Sequence, residues 1–215
     1  MSLQPKSPLD FDVWLAAERA SHQGRTEYRN GEAFAIDGSS EAHNLICGNL
    51  LGELGNHFKG RPCYVYTSAM KVRVESANPC VYPDVMAVCG ERQFLDDRRD
   101  VITNPALIVE VLSDSTDAYD RGDKFAHYRS IPGLRAYLLL SQQPMSAELL
   151  LRQPSGDWLL FVYTDPSDRI PLTALDTELS LAEVYDKVEF IASAMQSTQL
   201  SIVSSSRAAS TNMKR

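Results

Sequence analysis

Residues 104–128 read NPALIVEVLSDSTDAYDRGDKFAHY, and the fold is predicted outward from this stretch. Its first part, residues 106–112, is apolar and rich in β-branched side chains, which is typical of a strand buried on both faces. One carboxylate, Glu110, interrupts the run. Because an ionised carboxylate is costly to bury alone, we expect Glu110 to be paired, hydrogen-bonded or bound to a metal ion.

The second part of the stretch predicts a helix. Ser113 to Thr116 offers several N-cap side chains, and the helix is expected from about residue 116 to residue 130. Asp120, Lys124 and Tyr128 recur every fourth residue, so they share one helical face. If this face folds back onto the strand, Lys124 approaches Glu110. Tyr128 is more typical of core packing than of catalysis.

A second carboxylate interrupts another apolar run, residues 81–89, where Asp84 follows Pro83 directly. Asp84 has the same parity in its run as Met86, and Glu110 has the same parity as Ile108. If the two strands are neighbours, both carboxylates meet on one face and form an oxygen-rich site suited to Mg²⁺. The residues leave one alternative open: Asp84 caps a turn and Glu110 makes a structural ion pair.

The composition predicts one domain, residues 1–195, followed by a flexible Ser-rich tail, residues 196–215. Of the 215 residues 44% are hydrophobic, and no apolar run is long enough for a membrane span. The net charge of −7 argues against non-specific nucleic-acid binding, which depends on Lys and Arg. It leaves open a metal-dependent nuclease, whose active site is itself acidic.

The four cysteines are scattered without a CxxC pair, so we expect small core residues in a reducing cytoplasm and no zinc ligands. They are Cys47, Cys63, Cys80 and Cys89.

The remaining elements do not alternate as regular βαβ units. Helices are predicted from Ser7 to about residues 21–24, at residues 41–58 and at residues 177–194, and Asn30-Gly31 indicates a hairpin. Strands are predicted between them. This order favours an α/β or α+β fold with a mixed central sheet flanked by helices.

Together these motifs resemble the Uma-two family, whose members are described as candidate restriction endonucleases of the PD-(D/E)xK nuclease superfamily. The likeness covers about residues 8–190. It is carried by Pro83-Asp84, by EVLSDST at residues 110–116 and by the downstream Lys124 and Tyr128, preceded by Glu27 in a hairpin and His43 on a helix. The resemblance implies the restriction-endonuclease-like fold and Mg²⁺- or Mn²⁺-dependent cleavage of nucleic acid, with DNA favoured over RNA. A cytoplasmic homodimer is expected, because the cysteines indicate a reducing compartment and nucleases that cut both strands are commonly dimers.

The resemblance also implies residue roles. Asp84 and Glu110 are the expected metal ligands. The superfamily pattern places a Lys two positions after the second carboxylate, where this chain has Leu112, so Lys124 is expected to supply the ammonium group; Lys71 is a second candidate. The list of expected site residues is completed by Glu27, as a further acidic group, and His43, as a neighbouring polar or phosphate-contacting group.

Two other functions remain open at this point. The acidic composition and Leu112 favour a catalytically inactive nuclease-fold binding or assembly module. A metal-dependent enzyme acting on another phosphate ester is the third possibility. A basic groove leading to Asp84 and Glu110 favours nucleic acid, whereas an acidic or closed mouth favours the inactive module.

Overall fold

The structure is a computed structural model that describes residues 7–36, 38–113 and 115–190. In chain order the elements are α1 (Phe11–Ala20), β1 (Thr26–Arg29), β2 (Glu32–Ala35), α2 (Glu41–His57), β3 (Cys63–Thr67), β4 (Lys71–Arg73), β5 (Cys80–Val81), β6 (Val85–Cys89), β7 (Val101–Ile102), β8 (Leu107–Leu112), α3 (Asp117–Tyr119), a π-helical segment (Asp120–Lys124), α4 (Phe125–Tyr128), β9 (Ala136–Ser141), β10 (Ser146–Arg152), β11 (Trp158–Tyr163), β12 (Arg169–Leu172), a 3₁₀ turn (Thr173–Leu175), β13 (Thr177–Ser180) and α5 (Leu181–Val184).

A six-stranded mixed sheet, in the order β11-β10-β9-β8-β6-β3, forms the centre of the fold. Strand β8 is parallel to β9 and antiparallel to β6, and each of its six residues is buried, as a central strand covered on both faces requires. Val109 belongs to the core cluster that includes residues of α2, whereas Ile108 belongs to the cluster that includes Tyr128. The helical region after β8 therefore covers the face on which Glu110 lies.

A five-stranded sheet, in the order β2-β1-β5-β4-β7, lies beside the N-terminal helix. Helix α1 begins at the Asp10 N-cap, whose carboxylate accepts hydrogen bonds from the Asp12 and Val13 amides. The β1–β2 hairpin turns at Asn30 and Gly31, both at positive φ, as the Asn-Gly pair predicted. A two-stranded sheet, β12-β13, completes the described chain.

Two predicted elements are interrupted. The run 81–89 divides into β5 and β6, and Asp84 stands directly before β6 rather than within a strand. The helix predicted at residues 116–130 consists of α3, the π-helical segment and α4. A π-helical insertion shifts the phase of a helix locally and is frequent at functional sites. Here it contains Asp120 and Lys124, which are both buried.

The helix predicted at residues 177–194 is wrong for most of its length. Thr177–Ser180 forms β13, with Leu179 paired to Ile170 of β12, and of the residues described in this range, 177–190, only Leu181–Val184 are helical. Cross-strand pairing and burial of Leu179 override the helical spacing of the apolar residues. The tail predicted from residue 196 lies outside the described residues, so the predicted domain boundary stays a prediction.

The expectation for the cysteines is wrong for two of the four. Cys63 and Cys89 form a disulfide between the paired strands β3 and β6, whereas Cys47 and Cys80 are free. Such a bond is uncommon in a reducing compartment, so it counts against the reasoning that led to the cytoplasm. Across the described ranges, no helix is both long and apolar enough to cross a membrane.

Candidate functional site

A cleft of about 730 Å³ opens between the β1–β2 hairpin, the start of α2 and the helical region after β8. Strands β6 and β8 pair with Met86 opposite Ile108, and the same register places Asp84 opposite Glu110. The Val111 amide donates a hydrogen bond of 2.8 Å to Asp84 Oδ2, which ties this carboxylate to the strand that carries Glu110. Both carboxylates line the cleft. The two carboxylates that have matched parity in the sequence therefore lie opposite each other on paired segments of the structure.

Glu110 and Lys124 form a buried ion pair. Lys124 Nζ lies 2.9 Å from Glu110 Oε1, and the two side chains are only 9% and 3% exposed. The Tyr128 hydroxyl donates to the same oxygen at 3.0 Å, so Tyr128 is not just a packing residue. Lys124 points toward Glu110 and away from solvent, which is the placement expected from its helical face.

The electrostatics of this pair favour a bound cation. Burial raises the pKa of Glu110 well above its usual range; Lys124 opposes this rise, and the charges of Asp120 and Asp84 add to it. Burial lowers the pKa of Lys124, but Glu110, Glu27 and Asp120 outweigh that effect and raise it, so the ammonium stays charged. One lysine thus faces several carboxylates.

Asp120 is a site residue that the sequence analysis placed on the right face without assigning it to the site. Its side chain is 4% exposed, and its Oδ1 lies 3.1 Å from Lys124 Nζ. This is ion-pair distance, yet Oδ1 has no hydrogen-bond partner among the described residues. Burying a carboxylate oxygen without a hydrogen bond costs free energy, and a further ligand on this oxygen would reduce that cost. The spacing Asp120–Lys124–Tyr128 was the signal for it.

Glu27 also lines the cleft, from strand β1. It is 4% exposed, its Oε1 accepts the Tyr82 amide at 3.1 Å, and its Oε2 accepts Arg29 Nε at 3.1 Å. Arg29 in turn stacks over the Tyr119 ring at 3.9 Å. Glu27 is therefore a buried residue of the cleft and does not face solvent.

His43 reaches the site from the first turn of α2, which Ser40 caps by accepting the His43 amide. His43 Nε2 lies 3.1 Å from Asp84 Oδ1, and His43 Nδ1 lies 3.6 Å from Cys47 Sγ. Cys47, which the sequence predicted as a small core residue, is free and only partly buried beside His43. Burial raises the pKa of its thiol, and the charges of Asp84 and Glu110 raise it further.

Lys71 lies elsewhere. Its ammonium is 3.1 Å from Asp100 Oδ2, and Arg19 pairs with the same carboxylate. Although burial opposes it, these two cations hold the pKa of Asp100 at about 2. Lys71 is not among the described residues that line the cleft. Of the two lysine candidates, only Lys124 is brought together with Glu110.

The donor set fits a hard divalent cation. Asp84 and Glu110 offer carboxylate oxygens to the same cleft. Asp120 lines this cleft too, and its Oδ1 pairs with Lys124 but accepts no hydrogen bond among the described residues. Among the described lining residues, carboxylates outnumber Arg and Lys by five to two. The carboxylates are Glu27, Asp84, Glu110, Asp117 and Asp120, and the cations are Arg29 and Lys124. This excess of negative charge attracts Mg²⁺ or Mn²⁺ and repels a bare phosphate.

Comparison with known proteins finds relatives in sequence and a solved structure of similar fold. The chain is 34% identical over 186 residues to "Uncharacterized protein slr1290" of Synechocystis sp. (86% of this chain, 93% of the relative). It is 35% identical over 136 residues to "Uncharacterized protein sll1609" of the same organism (63% and 77%). A crystal structure of a "putative nuclease belonging to DUF820" from Anabaena variabilis superimposes with a TM-score of 0.70 over 85% of this chain and 100% of that chain.

That structure shares only 14% sequence identity, so the likeness concerns the fold, and it confirms the expected restriction-endonuclease-like architecture. The sequence profile of the Uma2 family matches residues 10–183, which include Glu27, His43, Asp84, Glu110 and Lys124. The chain therefore belongs to the Uma2 family, described as "Putative restriction endonuclease".

Proposed function

We propose that this protein is a Mg²⁺- or Mn²⁺-dependent nuclease that hydrolyses DNA phosphodiester bonds. The observation that carries the proposal is the pair of carboxylates, Asp84 and Glu110, side by side in an acidic cleft with Lys124 against Glu110. Membership of a family described as restriction endonucleases supports DNA, rather than RNA, as the substrate.

In this proposal Asp84 and Glu110 hold the cation. When bound, a divalent ion polarises the phosphodiester and lowers the pKa of a coordinated water. The Val111 amide fixes the orientation of Asp84, and the Tyr128 hydroxyl fixes that of Glu110. Hydrogen bonds of this kind hold metal-binding carboxylates in place before the ion arrives.

Lys124 supplies the ammonium that the superfamily pattern places at the position of Leu112. Its charge offsets the negative charge that develops on the phosphate oxygens during attack. Glu27 adds to the effect of Glu110 in raising the pKa of Lys124, and Arg29, which donates a hydrogen bond to Glu27, also lines the cleft. His43, at 3.1 Å from Asp84, would be a neighbouring group able to contact a phosphate.

One observation favours the second candidate, a nuclease-fold binding or assembly module without turnover. The cleft carries more carboxylates than cations, and Lys124 is already within ion-pair distance of both Glu110 and Asp120. A lysine held by two carboxylates has less charge to offer a phosphate. A divalent cation held by Asp84 and Glu110 would offset the negative charge of Glu110 and of the neighbouring Asp120, so the ammonium of Lys124 would be available to a phosphate.

The test is a cleavage assay with Mg²⁺ or Mn²⁺ on supercoiled plasmid, linear duplex DNA, single-stranded DNA and RNA. The matched control is Asp84→Ala, which removes one ligand. The proposal predicts metal-dependent nicking of DNA by the native protein and none by the variant. Cleavage of RNA alone, or of a small phosphate ester alone, would show that this compound and not DNA is the substrate. Binding of DNA without any cleavage would favour the inactive module.

We also propose a homodimer that pairs through β11. This strand is the edge of the six-stranded sheet, it carries no charge in a chain of net charge −7, and four successive apolar side chains on it are 40% to 59% exposed. They are Leu159, Leu160, Phe161 and Val162. Two copies of one edge strand pair antiparallel about a two-fold axis, which satisfies the open backbone groups of both copies.

A further inference from the structure

His43 and Cys47 face Asp84 in a second arrangement of metal-binding side chains. The two residues are four apart on α2, so they share one helical face. Asp84 faces them from the segment that enters β6. One donor atom from each of the three residues lies within 4.8 Å of the other two. All three side chains are partly buried, so the group is held within the fold and is still accessible to an ion.

The spacing suits a tetrahedral ion. Bonds of about 2.0–2.3 Å to nitrogen, oxygen and sulfur place the ligand atoms of a zinc site roughly 3.3–3.8 Å apart. His43 Nε2 lies 3.1 Å from Asp84 Oδ1, whereas Cys47 Sγ lies 3.6 Å from the other ring nitrogen, Nδ1. Only one of these nitrogens can bind a given ion, and with a single nitrogen chosen the three donor atoms lie within 4.8 Å of one another. The upper limit of 4.8 Å exceeds the tetrahedral spacing by about 1–1.5 Å, a gap that side-chain rotation of Cys47 and Asp84 can close to bring the three donors onto one ion.

The chemistry of the group differs from that of the Asp84–Glu110 pair. Imidazole and thiolate select Zn²⁺ and similar thiophilic ions, whereas Mg²⁺ prefers oxygen donors. Cys47 is free, while Cys63 and Cys89 are consumed in the disulfide. On binding, the Cys47 thiol loses its proton to solvent, and His43 binds through an unprotonated nitrogen. With a thiolate and a carboxylate as ligands, a divalent ion is neutralised.

From these contacts we infer that His43, Cys47 and Asp84 form a binding site for a thiophilic divalent ion of the Zn²⁺ class. Because Asp84 is common to both sites, the two ions compete, and the thiophilic ion inhibits by withdrawing Asp84 from Glu110. Binding itself is independent of the proposed function, and only the inhibitory consequence rests on it.

Binding is tested with Co²⁺, which reports thiolate ligation by a charge-transfer band and tetrahedral geometry by intense visible bands. The oxidised full chain is titrated, so that Cys63 and Cys89 stay bonded. The native protein is expected to show both signals. Cys47→Ser is expected to lose the charge-transfer band and to bind at least about 10-fold more weakly. Cys80→Ser, which removes the other free cysteine, is expected to behave as the native protein does.

Loss of the band in Cys80→Ser but not in Cys47→Ser would overturn the inference, as would an octahedral, oxygen-type spectrum in the native protein. Inhibition is tested separately by adding Zn²⁺ to the Mg²⁺-dependent cleavage reaction. Cys47→Ser is expected to keep its Mg²⁺ activity and to need at least about 10-fold more Zn²⁺ for inhibition. Equal inhibition of both proteins would overturn the competition. If neither protein cleaves, the function fails, and the Co²⁺ titration still decides the site.

Discussion

The Lys124→Met variant tests whether Lys124 only stabilises the fold or also takes part in cleavage. Lys124 is 9% exposed and lies 2.9 Å from Glu110 and 3.1 Å from Asp120. Removing one partner of a buried ion pair costs about 3–5 kcal/mol, because the remaining charge is left without compensation. Protonation of Glu110 limits the loss, since its pKa is already raised. We therefore expect a loss near the lower bound, about 3 kcal/mol, in urea-unfolding experiments at neutral pH.

Lys71→Met is the matched control. Lys71 is also buried, with a side-chain exposure of 7%, and its ammonium lies 3.1 Å from a carboxylate, Asp100. Asp100 keeps Arg19 as a partner, so the loss of Lys71 should cost only about 1–2 kcal/mol. Both variants are thus destabilised, but only Lys124 lies at the cleft.

The activity of the two variants decides the role. At a temperature where both are folded, Lys124→Met should lower the rate of metal-dependent DNA cleavage by roughly 10²-fold, the typical effect of losing one electrostatic stabiliser. Mn²⁺ affinity should persist, because Asp84 and Glu110 remain. Lys71→Met should cleave nearly as well as the native protein. The reverse ranking, or full activity in Lys124→Met, would refute the reasoning and leave the site without its lysine.

Three further predictions follow from single contacts. Tyr128→Phe removes the hydrogen bond that orients Glu110, so it should weaken Mn²⁺ binding, measured by calorimetry, by about 10-fold. Leu160→Lys places a charge on the exposed edge strand, so light scattering should show a monomer where the native protein is a dimer. Asp100 has a pKa of about 2 in the fold, below its unfolded value of about 3.9. The ionised Asp100 side chain therefore contributes about 1 kcal/mol, after solvent screening, to the free energy of unfolding. This stabilisation is complete above about pH 4 and is lost as the pH falls toward 2. Asp100→Asn should remove this pH-dependent loss of stability, measured by urea unfolding at several pH values.

Glu110 and Lys124, at the centre of the candidate site, could be predicted from sequence because one follows a strand periodicity and the other a helix periodicity. Alternation along β8 placed Glu110 on one face, and the four-residue spacing of Lys124 and Tyr128 placed their side chains on the helical face that returns to it. Both signals are local, so they survive the π-helical insertion. The position of Asp84 opposite Glu110 needed only that the two strands be neighbours.

The parts that were missed depend on contacts between distant segments. The approach of Cys47 to Asp84 follows from how α2 packs over the sheet, which no local pattern reveals. Lys71 was a reasonable candidate by sequence, but Arg19 and Asp100 hold it in a separate ion-pair cluster. Residues 177–180 have a helical spacing that pairing with β12 overrides.

Cleavage is proposed to depend on one cation that Asp84 and Glu110 share. Anomalous scattering from Mn²⁺-soaked crystals locates such an ion. We expect one strong peak between the two carboxylates, at about 2.0–2.3 Å from an oxygen of each. The peak should be absent from Asp84→Ala crystals soaked in the same way. A peak bound by neither Asp84 nor Glu110, or a peak that persists in the variant, would contradict the account.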